Sequence, residues 1–254
     1  MNELQKEFLD IVSQVRTHLE LQRALGVTAV ETAASAVSSS ASFADQPRSK
    51  AVLEDPVAEK SGVSMPSRPG LAGLQEEMVD CTKCRLGKAR NRIVFGEGNP
   101  QSPLVFISMA PGDAEDREGR PFVDAGGRLL NDIIVKGMKL RREDIYLCTF
   151  LKCRLPADGR SEPGDIEACE QFLVRQLEYI QPKVIVALGG PVAQALLKTT
   201  EDIKTLRGVW QQYRGIRLMP TLGPEHLLQN PQDKKAVWED IKMVLAEMEQ
   251  VKKG

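Results

Sequence analysis

The sequence predicts an α/β protein: a three-layer α/β/α domain around a central, mostly parallel sheet, preceded by an N-terminal helix on a flexible linker. Short apolar segments predict strands at residues 104–109, 145–151, 184–188 and 216–220. Helical periodicity predicts helices at residues 127–138, 165–180, 191–197 and 234–250. Strands that are apolar on both faces and separated by helices are typical of a parallel sheet covered on both sides. Binding sites in such sheets lie at the carboxyl ends of the strands.

The N-terminal part of the chain differs in composition from the rest. Residues 1–27 carry apolar side chains at intervals of three or four, which predicts an amphipathic helix. Residues 28–70 are rich in Ala, Ser and Pro, which predicts a flexible linker. The folded domain is therefore expected at residues 71–254. Docking of the helix on a protein partner and packing of the helix against the domain both remain open.

The bulk composition is that of an ordinary globular protein. Apolar residues make up 42%, charged residues 27%, and the formal net charge is −1. This balance excludes a global basic field but allows a local basic patch. No apolar run approaches the roughly 18–20 residues of a membrane span, and the N-terminus has no apolar signal segment. We therefore expect a cytoplasmic monomer with no membrane partner.

Four of the five cysteines have a spacing that suggests metal binding. Cys81 and Cys84 form a C-x-x-C pair, and Cys153 and Cys169 follow as isolated cysteines. An odd count in a reducing compartment argues against disulfides. A [4Fe–4S] cluster and structural zinc are the candidates, and the open spacing of the second pair favours iron–sulfur. Unrelated buried thiols remain an alternative; Cys148, in an apolar strand, is expected to be a core residue.

A series of motifs resembles one known family. In chain order they are CTKCRLGKAR, VFGEGNP, APGDAEDREGRPFVDAGGRLL, LKCRLP, the helix with Cys169, PKVIVALGG and PTLGPEHLLQNP. Residues 81–249 are similar in this way to type-4 uracil-DNA glycosylases, the iron–sulfur branch of the uracil-DNA glycosylase superfamily. The resemblance implies an α/β/α fold, DNA as partner, a [4Fe–4S] cluster on the four cysteines and a pocket for an extruded base.

The resemblance also implies roles for individual residues. Phe122 matches the phenylalanine that stacks on the base, a contact worth roughly 1–3 kcal/mol. Pro111 and Gly112 form the turn that brings backbone N–H groups to the pocket. Glu115 is the candidate catalytic carboxylate, which would position water or support a cationic sugar. Thr149 stands at the position that reads the edge of the base.

The chain departs from the family pattern where chemistry is expected. Met109 replaces the glutamate of G-E-A-P-G, Thr149 replaces the base-reading asparagine, and Gly223 replaces the histidine of H-P. Asp158 replaces a further asparagine and is followed by an apparent insertion at Gly159.

The magnitudes of these losses lead to two hypotheses. A lost donor to the developing anion costs roughly 2.7–4 kcal/mol, and a lost base-reading amide costs about 1–3 kcal/mol. Under the first hypothesis the protein is a base-excision repair glycosylase for uracil or a related damaged base, with His226 as the compensating catalytic group. Under the second it is a catalytically degenerate iron–sulfur protein that binds nucleic acid.

Basic residues near the cysteines predict contacts to DNA phosphates. The candidates are Arg85, Lys88, Arg90, Arg92, Lys152 and Arg154. If the fold brings the cysteines together, these side chains form one positive patch. A solvated charged face is the alternative.

Overall fold

The computed structural model describes residues 70–253, with side chains as far as Val251. The predicted N-terminal helix and almost all of the predicted linker lie outside the described residues. Both assignments, and the domain boundary drawn from them, therefore stay predictions.

A sheet of six strands forms the centre of the described chain, in the order β1-β3-β2-β4-β6-β5. Its strands are β1 (Glu97–Gly98), β2 (Leu104–Ser108), β3 (Tyr146–Thr149), β4 (Val184–Leu188), β5 (Gln211–Tyr213) and β6 (Ile216–Thr221). The inner strands β3, β2, β4 and β6 are parallel, and β1 and β5 are antiparallel edge strands. The mostly parallel sheet is confirmed. The edge strands were not predicted, because segments of two and three residues are too short to show the alternation of apolar and polar side chains.

Eight α-helices accompany the sheet in the described range. They are α1 (Leu71–Met78), α2 (Asp113–Glu118), α3 (Ala125–Asp132), α4 (Pro163–Ile180), α5 (Gly190–Leu197), α6 (Ile203–Leu206), α7 (Pro224–Gln229) and α8 (Lys234–Lys253). The four predicted helices correspond to α3, α4, α5 and α8. The predicted helix at residues 127–138 differs in one respect, because α3 passes into a π-helical turn at Ile133–Gly137. The short helices α2, α6 and α7 span too few turns to show a period.

The sheet separates two apolar clusters, as a three-layer fold requires. Successive side chains of β2 alternate between its faces. Ile107 belongs to a cluster with Leu173 of α4, and Phe106 belongs to another with Val244 of α8. Cys148 is fully buried in the first cluster, which confirms its predicted place in the core. Burial of each such aliphatic side chain stabilises the fold by about 1.5–3 kcal/mol.

The parallel strands end together at one edge of the sheet. The backbone runs directly from β2, β4 and β6 into the loops that begin at Met109, Gly189 and Leu222. Since binding sites in parallel sheets form at this edge, the fold places the predicted pocket segments side by side. Within residues 70–253 no helix is long and apolar enough to cross a membrane.

Candidate functional site

A pocket of about 520 Å³ opens at the carboxyl edge of the sheet. Its lining includes the predicted base-binding residues Pro111, Gly112, Phe122 and Thr149 and the predicted catalytic residues Glu115 and His226. It also includes Met109, Asp124, Gly159, Gly223 and Glu225. The volume lies in the range of small-molecule sites and is ample for a single base. The pocket therefore collects side chains from segments more than 100 residues apart in the sequence.

The backbone at Phe122 is held in an unusual conformation beside the pocket. Its φ is 55°, in the left-handed region that bulky residues rarely adopt. Arg142 Nη2 donates to the Pro121 carbonyl at 2.8 Å and to the Phe122 carbonyl at 3.3 Å. A Cβ on Gly127 would lie 2.0 Å from the Phe122 carbonyl oxygen, so the turn requires glycine there. Strain of about 1–3 kcal/mol at such a position persists only when its surroundings impose it.

Glu115 is one of the groups that impose this turn. Its side chain is buried, and Oε1 accepts the backbone N–H groups of Val123 at 2.9 Å and Asp124 at 3.1 Å. Its other oxygen, Oε2, lies against Gly112, where a Cβ would be only 2.8 Å away. Glu115 thus joins the Pro111–Gly112 turn to the Phe122 turn. This geometry supports a positioning role, and direct participation in chemistry remains a prediction.

The four predicted ligand cysteines line one small cavity away from the pocket. Cys81 and Cys84 come from the segment after α1, Cys153 follows β3, and Cys169 lies in α4. Arg90 Nη1 donates to the Cys81 carbonyl at 2.6 Å and lies 3.7 Å from Cys153 Sγ. Burial raises the pKa of the Cys153 thiol to about 11. The fold brings the four thiols to one cavity, and their assignment as ligands remains a prediction.

Among the described residues, no three His, Cys, Asp or Glu side chains are grouped at a spacing suited to a single metal ion.

Comparison with known proteins assigns the family. The model of the Uracil DNA glycosylase superfamily matches residues 95–242. A type-4 uracil-DNA glycosylase of Saccharolobus solfataricus is 38% identical over 67% of this chain and 83% of the relative. The chain belongs to the type-4 uracil-DNA glycosylases. Further members from Sulfurisphaera tokodaii and Thermotoga maritima are 36% and 37% identical, over 68% and 66% of this chain and 83% and 89% of their own lengths.

This type-4 glycosylase family member departs from the family pattern inside its pocket. Met109, Thr149 and Gly223 all line it. Thr149 is buried and its hydroxyl donates to a backbone carbonyl at 3.4 Å. Asp158 is exposed outside the lining, whereas the inserted Gly159 contributes to it. Three of the four departures therefore alter the lining of the pocket.

His226 lies at the wall of the pocket, on α7. Its Nε2 is 2.6 Å from Asp233 Oδ2, and its side chain is 38% exposed. Because a carboxylate holds one ring nitrogen, the tautomer and the orientation of the ring are restrained. His226 therefore lines the pocket, but its Nε2 already contacts Asp233. Its catalytic role remains a prediction.

Two further carboxylates of the pocket, Asp124 and Glu225, could not be recognised from the sequence. Asp124 caps α3, where its Oδ1 accepts the Gly127 N–H at 2.8 Å. Glu225 follows Pro224 at the start of α7 and also lines the pocket. Loss of hydration raises the pKa of Glu225, and repulsion from Asp124 and Glu115 adds to the effect. An acidic residue in the first turn of a helix is so common that its position alone gave no signal.

The structure contradicts the assignment of Lys152 to phosphate contact. The side chain is fully buried. Its ammonium donates to the backbone carbonyls of Phe95 and Thr149 and, at 2.7 Å, to Gln176 Oε1. Burial lowers its pKa. The residue before Cys153 thus faces the interior and not the solvent. Its three hydrogen bonds connect the segments at Phe95, Thr149 and Gln176.

Acidic neighbours reduce the positive patch further. Arg85 Nε pairs with Asp165 at 3.1 Å, and Arg154 Nη1 pairs with Asp113 at 3.0 Å. Arg90 is occupied by backbone carbonyls, as described above. Lys88 and Arg92 are exposed and form no ion pair with any described residue. The predicted phosphate contacts are thus best supported at these last two positions.

Proposed function

We propose that the protein is a DNA base-excision glycosylase that accepts an extruded uracil or a related damaged base and hydrolyses its N-glycosidic bond. The observation that carries the proposal is the strained Phe122 turn, held beside a base-sized pocket by Glu115, Arg142 and Gly127. Such strain is characteristic of functional sites. The relatives named type-4 uracil-DNA glycosylases support the same activity.

Binding begins with removal of the target base from the stack, which costs a few kcal/mol. Phe122 stacks on the extruded base, and the backbone N–H of Gly112 faces it from the opposite loop. Glu115 keeps these two surfaces at a constant separation because it contacts both turns. The apolar side chain of Met109 excludes water from one wall.

Bond cleavage leaves positive charge on the sugar and negative charge on the departing base. The pocket lining contains the carboxyl groups of Glu115, Asp124 and Glu225 but no Lys or Arg. Negative charge in the pocket lining favours a transition state in which the sugar resembles an oxocarbenium ion, as in glycoside hydrolysis. A carboxylate oxygen that is not already engaged would orient the attacking water. The electrostatics of the pocket thus suit the sugar better than the base.

A second candidate function is nucleic-acid binding without catalysis. It is favoured by Met109, Thr149 and Gly223, since each removes a group that would contact the base or the water. The Thr149 hydroxyl donates its one hydrogen to a backbone carbonyl, so it can only accept from the base and cannot make the paired contact of an amide.

Single-turnover excision separates the two functions. Anaerobically purified protein is mixed in excess with single- and double-stranded oligonucleotides that contain uracil or another deaminated base. We expect cleavage of at least one of them, and a reduction of roughly 10- to 10²-fold in Phe122→Ala, because the stacking contact of roughly 1–3 kcal/mol is lost. Phe95→Leu, a core change outside the pocket, is the control. Tight DNA binding with no cleaved base would contradict the proposal and establish the binding function.

We further propose that Cys81, Cys84, Cys153 and Cys169 hold a [4Fe–4S] cluster, with zinc as the alternative. Four free thiols around one cavity, with the Arg90 guanidinium near Cys153 Sγ, form a donor set that fits such a group. When bound, the cluster supplies cross-links between the segment after α1, the segment after β3 and α4. The visible absorption of the same anaerobic protein and its iron and zinc contents test the assignment; a colourless, zinc-loaded protein contradicts it.

DNA contact through Lys88 and Arg92 is part of the proposal. Each phosphate contact contributes about 0.9 to the slope of log affinity against log salt for duplex DNA. The double variant Lys88→Ala with Arg92→Ala should therefore reduce that slope by about 2. Lys198→Ala, which changes an exposed lysine directly after α5, is the matched control. An unchanged slope in the double variant removes these residues from the interface.

The remaining parts of the proposal concern the whole chain. The reducing cytoplasm suits a protein whose cysteines act as thiolate ligands. The protein is proposed to act as a monomer, since one chain provides every segment of the pocket. Residues 1–27 are proposed to contact a repair or replication partner. Deletion of these residues with no change in captured partners would contradict that role.

A further inference from the structure

Glu225 occupies the part of the pocket that Gly223 leaves open. A Cβ placed on Gly223 would lie 3.1 Å from Glu225 Oε2, and a Cβ on Gly126 would lie 3.2 Å from Glu225 Oε1. The carboxyl group therefore lies between the backbones of two glycines. A side chain at position 223 would have to share this space. Glu225 thus stands where a residue at position 223 would meet a bound base.

Glu225 also forms fewer hydrogen bonds with other residues than the other carboxyl groups of the pocket lining. Glu115 accepts backbone N–H groups at Oε1, and Asp124 accepts the Gly127 N–H. His226, the remaining charged or titratable side chain in the lining, is in contact with Asp233. Within the described chain, the Glu225 carboxyl group accepts a hydrogen bond from its own backbone N–H and forms no ion pair or hydrogen bond with another residue. Glu225 is also exposed, so its carboxyl group is available to a ligand.

The surroundings of Glu225 favour its protonated form. Asp124 and Glu115 face it with negative charge, and no Lys or Arg of the pocket lining opposes them. Loss of hydration is the main reason that the pKa of Glu225 is raised; the two carboxylates add to the effect, and a hydrogen bond with its own backbone N–H opposes it. A base that enters the pocket would displace more water and raise this pKa further. A carboxylic acid at this place can donate a proton, which a carboxylate cannot.

We propose that Glu225, in its protonated form, gives its proton to the departing base. This inference rests on the proposed excision function. The C1′–N bond breaks and its electron pair passes to the base, which takes the proton from the Glu225 carboxyl group and leaves as a neutral molecule. Water adds to C1′ and releases a proton to solvent, and Glu225 recovers a proton from solvent. The carboxylate formed in the first step faces the cationic sugar.

The proposal predicts a particular dependence on pH. The acid works only while protonated, so the rate is highest below the pKa of Glu225 and falls as pH rises through it. Glu225→Gln keeps the size of the side chain but cannot supply a proton. General-acid catalysis contributes about 10²–10⁴-fold to a rate. The excision rate of this variant should therefore be at least about 10²-fold lower at low pH. Its rate should also no longer decrease as pH rises through the pKa of Glu225.

The experiment measures single-turnover excision against pH for the oligonucleotide that the unmodified protein cleaves fastest. The unmodified protein is compared with Glu225→Gln, with Glu225→Ala combined with Gly223→His, and with the control Glu167→Gln, an exposed residue of α4. We expect the histidine variant to regain rate with a different pH profile. Unfolding temperatures should agree for all four proteins. A Glu225→Gln variant with unchanged rate and pH profile overturns the inference alone. Absence of cleavage by the unmodified protein overturns the proposed function and the inference together.

Discussion

Compared with Glu225→Ala alone, the further changes Thr149→Asn and Gly223→His are expected to raise the rate of uracil excision by at least about 10²-fold. An asparagine at position 149 offers a donor and an acceptor to the edge of the base, a discrimination of roughly 1–3 kcal/mol. A histidine at position 223 supplies a donor to the developing anion, worth roughly 2.7–4 kcal/mol. The two effects are not strictly additive because they act on one transition state.

The structure accommodates this combination. Gly223 has a φ of −73°, which a histidine adopts without backbone strain. The one close side-chain neighbour of a Cβ there is Glu225 Oε2 at 3.1 Å, and Glu225→Ala removes it. The Leu188 carbonyl oxygen, at 3.4 Å, is an ordinary contact. The histidine can therefore enter the pocket without displacement of the backbone.

The measurement is single-turnover cleavage of a uracil-containing strand at saturating protein. Thr200→Asn with Gly164→His introduces the same side chains at two positions outside the pocket lining and is the matched control. Both positions are exposed, and nothing lies within 4 Å of a Cβ on Gly164. A folded triple variant with no gain in rate over Glu225→Ala would show that the pocket has been reshaped for a base other than uracil, and that these positions no longer govern cleavage.

Gly127→Ala is expected to destabilise the protein by about 2 kcal/mol or more and to reduce excision by about 10²-fold. Its Cβ would lie 2.0 Å from the carbonyl oxygen of Phe122 and 2.7 Å from its Cα. These are backbone atoms, so no rotation of a side chain relieves the clash. Overpacking of this kind typically costs about 1–3 kcal/mol. Because the Phe122 turn is already strained, the simplest relief is a shift of the turn that misplaces the ring.

Denaturant unfolding and single-turnover excision test this prediction together. Gly164→Ala is the control, since the same substitution in the first turn of α4 meets nothing within 4 Å. That variant should be as stable as the unmodified protein or slightly more stable, because alanine favours helix. A Gly127→Ala variant with unchanged stability and unchanged rate would show that the Phe122 turn is not needed for activity.

The local patterns of the sequence were sufficient to predict the inner strands, the long helices and the segments that line the pocket. The inner strands are apolar on both faces, a pattern that is typical of a covered parallel sheet. Helices α4 and α8 span five turns or so, long enough for their period to be read. The pocket segments were located by their place after the strands and by their resemblance to the type-4 family. These features depend on neighbours within a few residues, and a single sequence displays them directly.

Only the tertiary structure decided which side chains face the site. Lys152 and Arg154 flank the same cysteine, yet Lys152 is buried and Arg154 pairs with Asp113, 41 residues earlier. Glu225 belongs to the pocket because α7 places it beside Gly223 and Gly126, about 100 residues apart in the chain. The left-handed turn at Phe122 exists because distant Arg142 and Glu115 hold it. Burial, ion pairing and strain depend on contacts between segments remote in the chain, and a local pattern carries no information about such contacts.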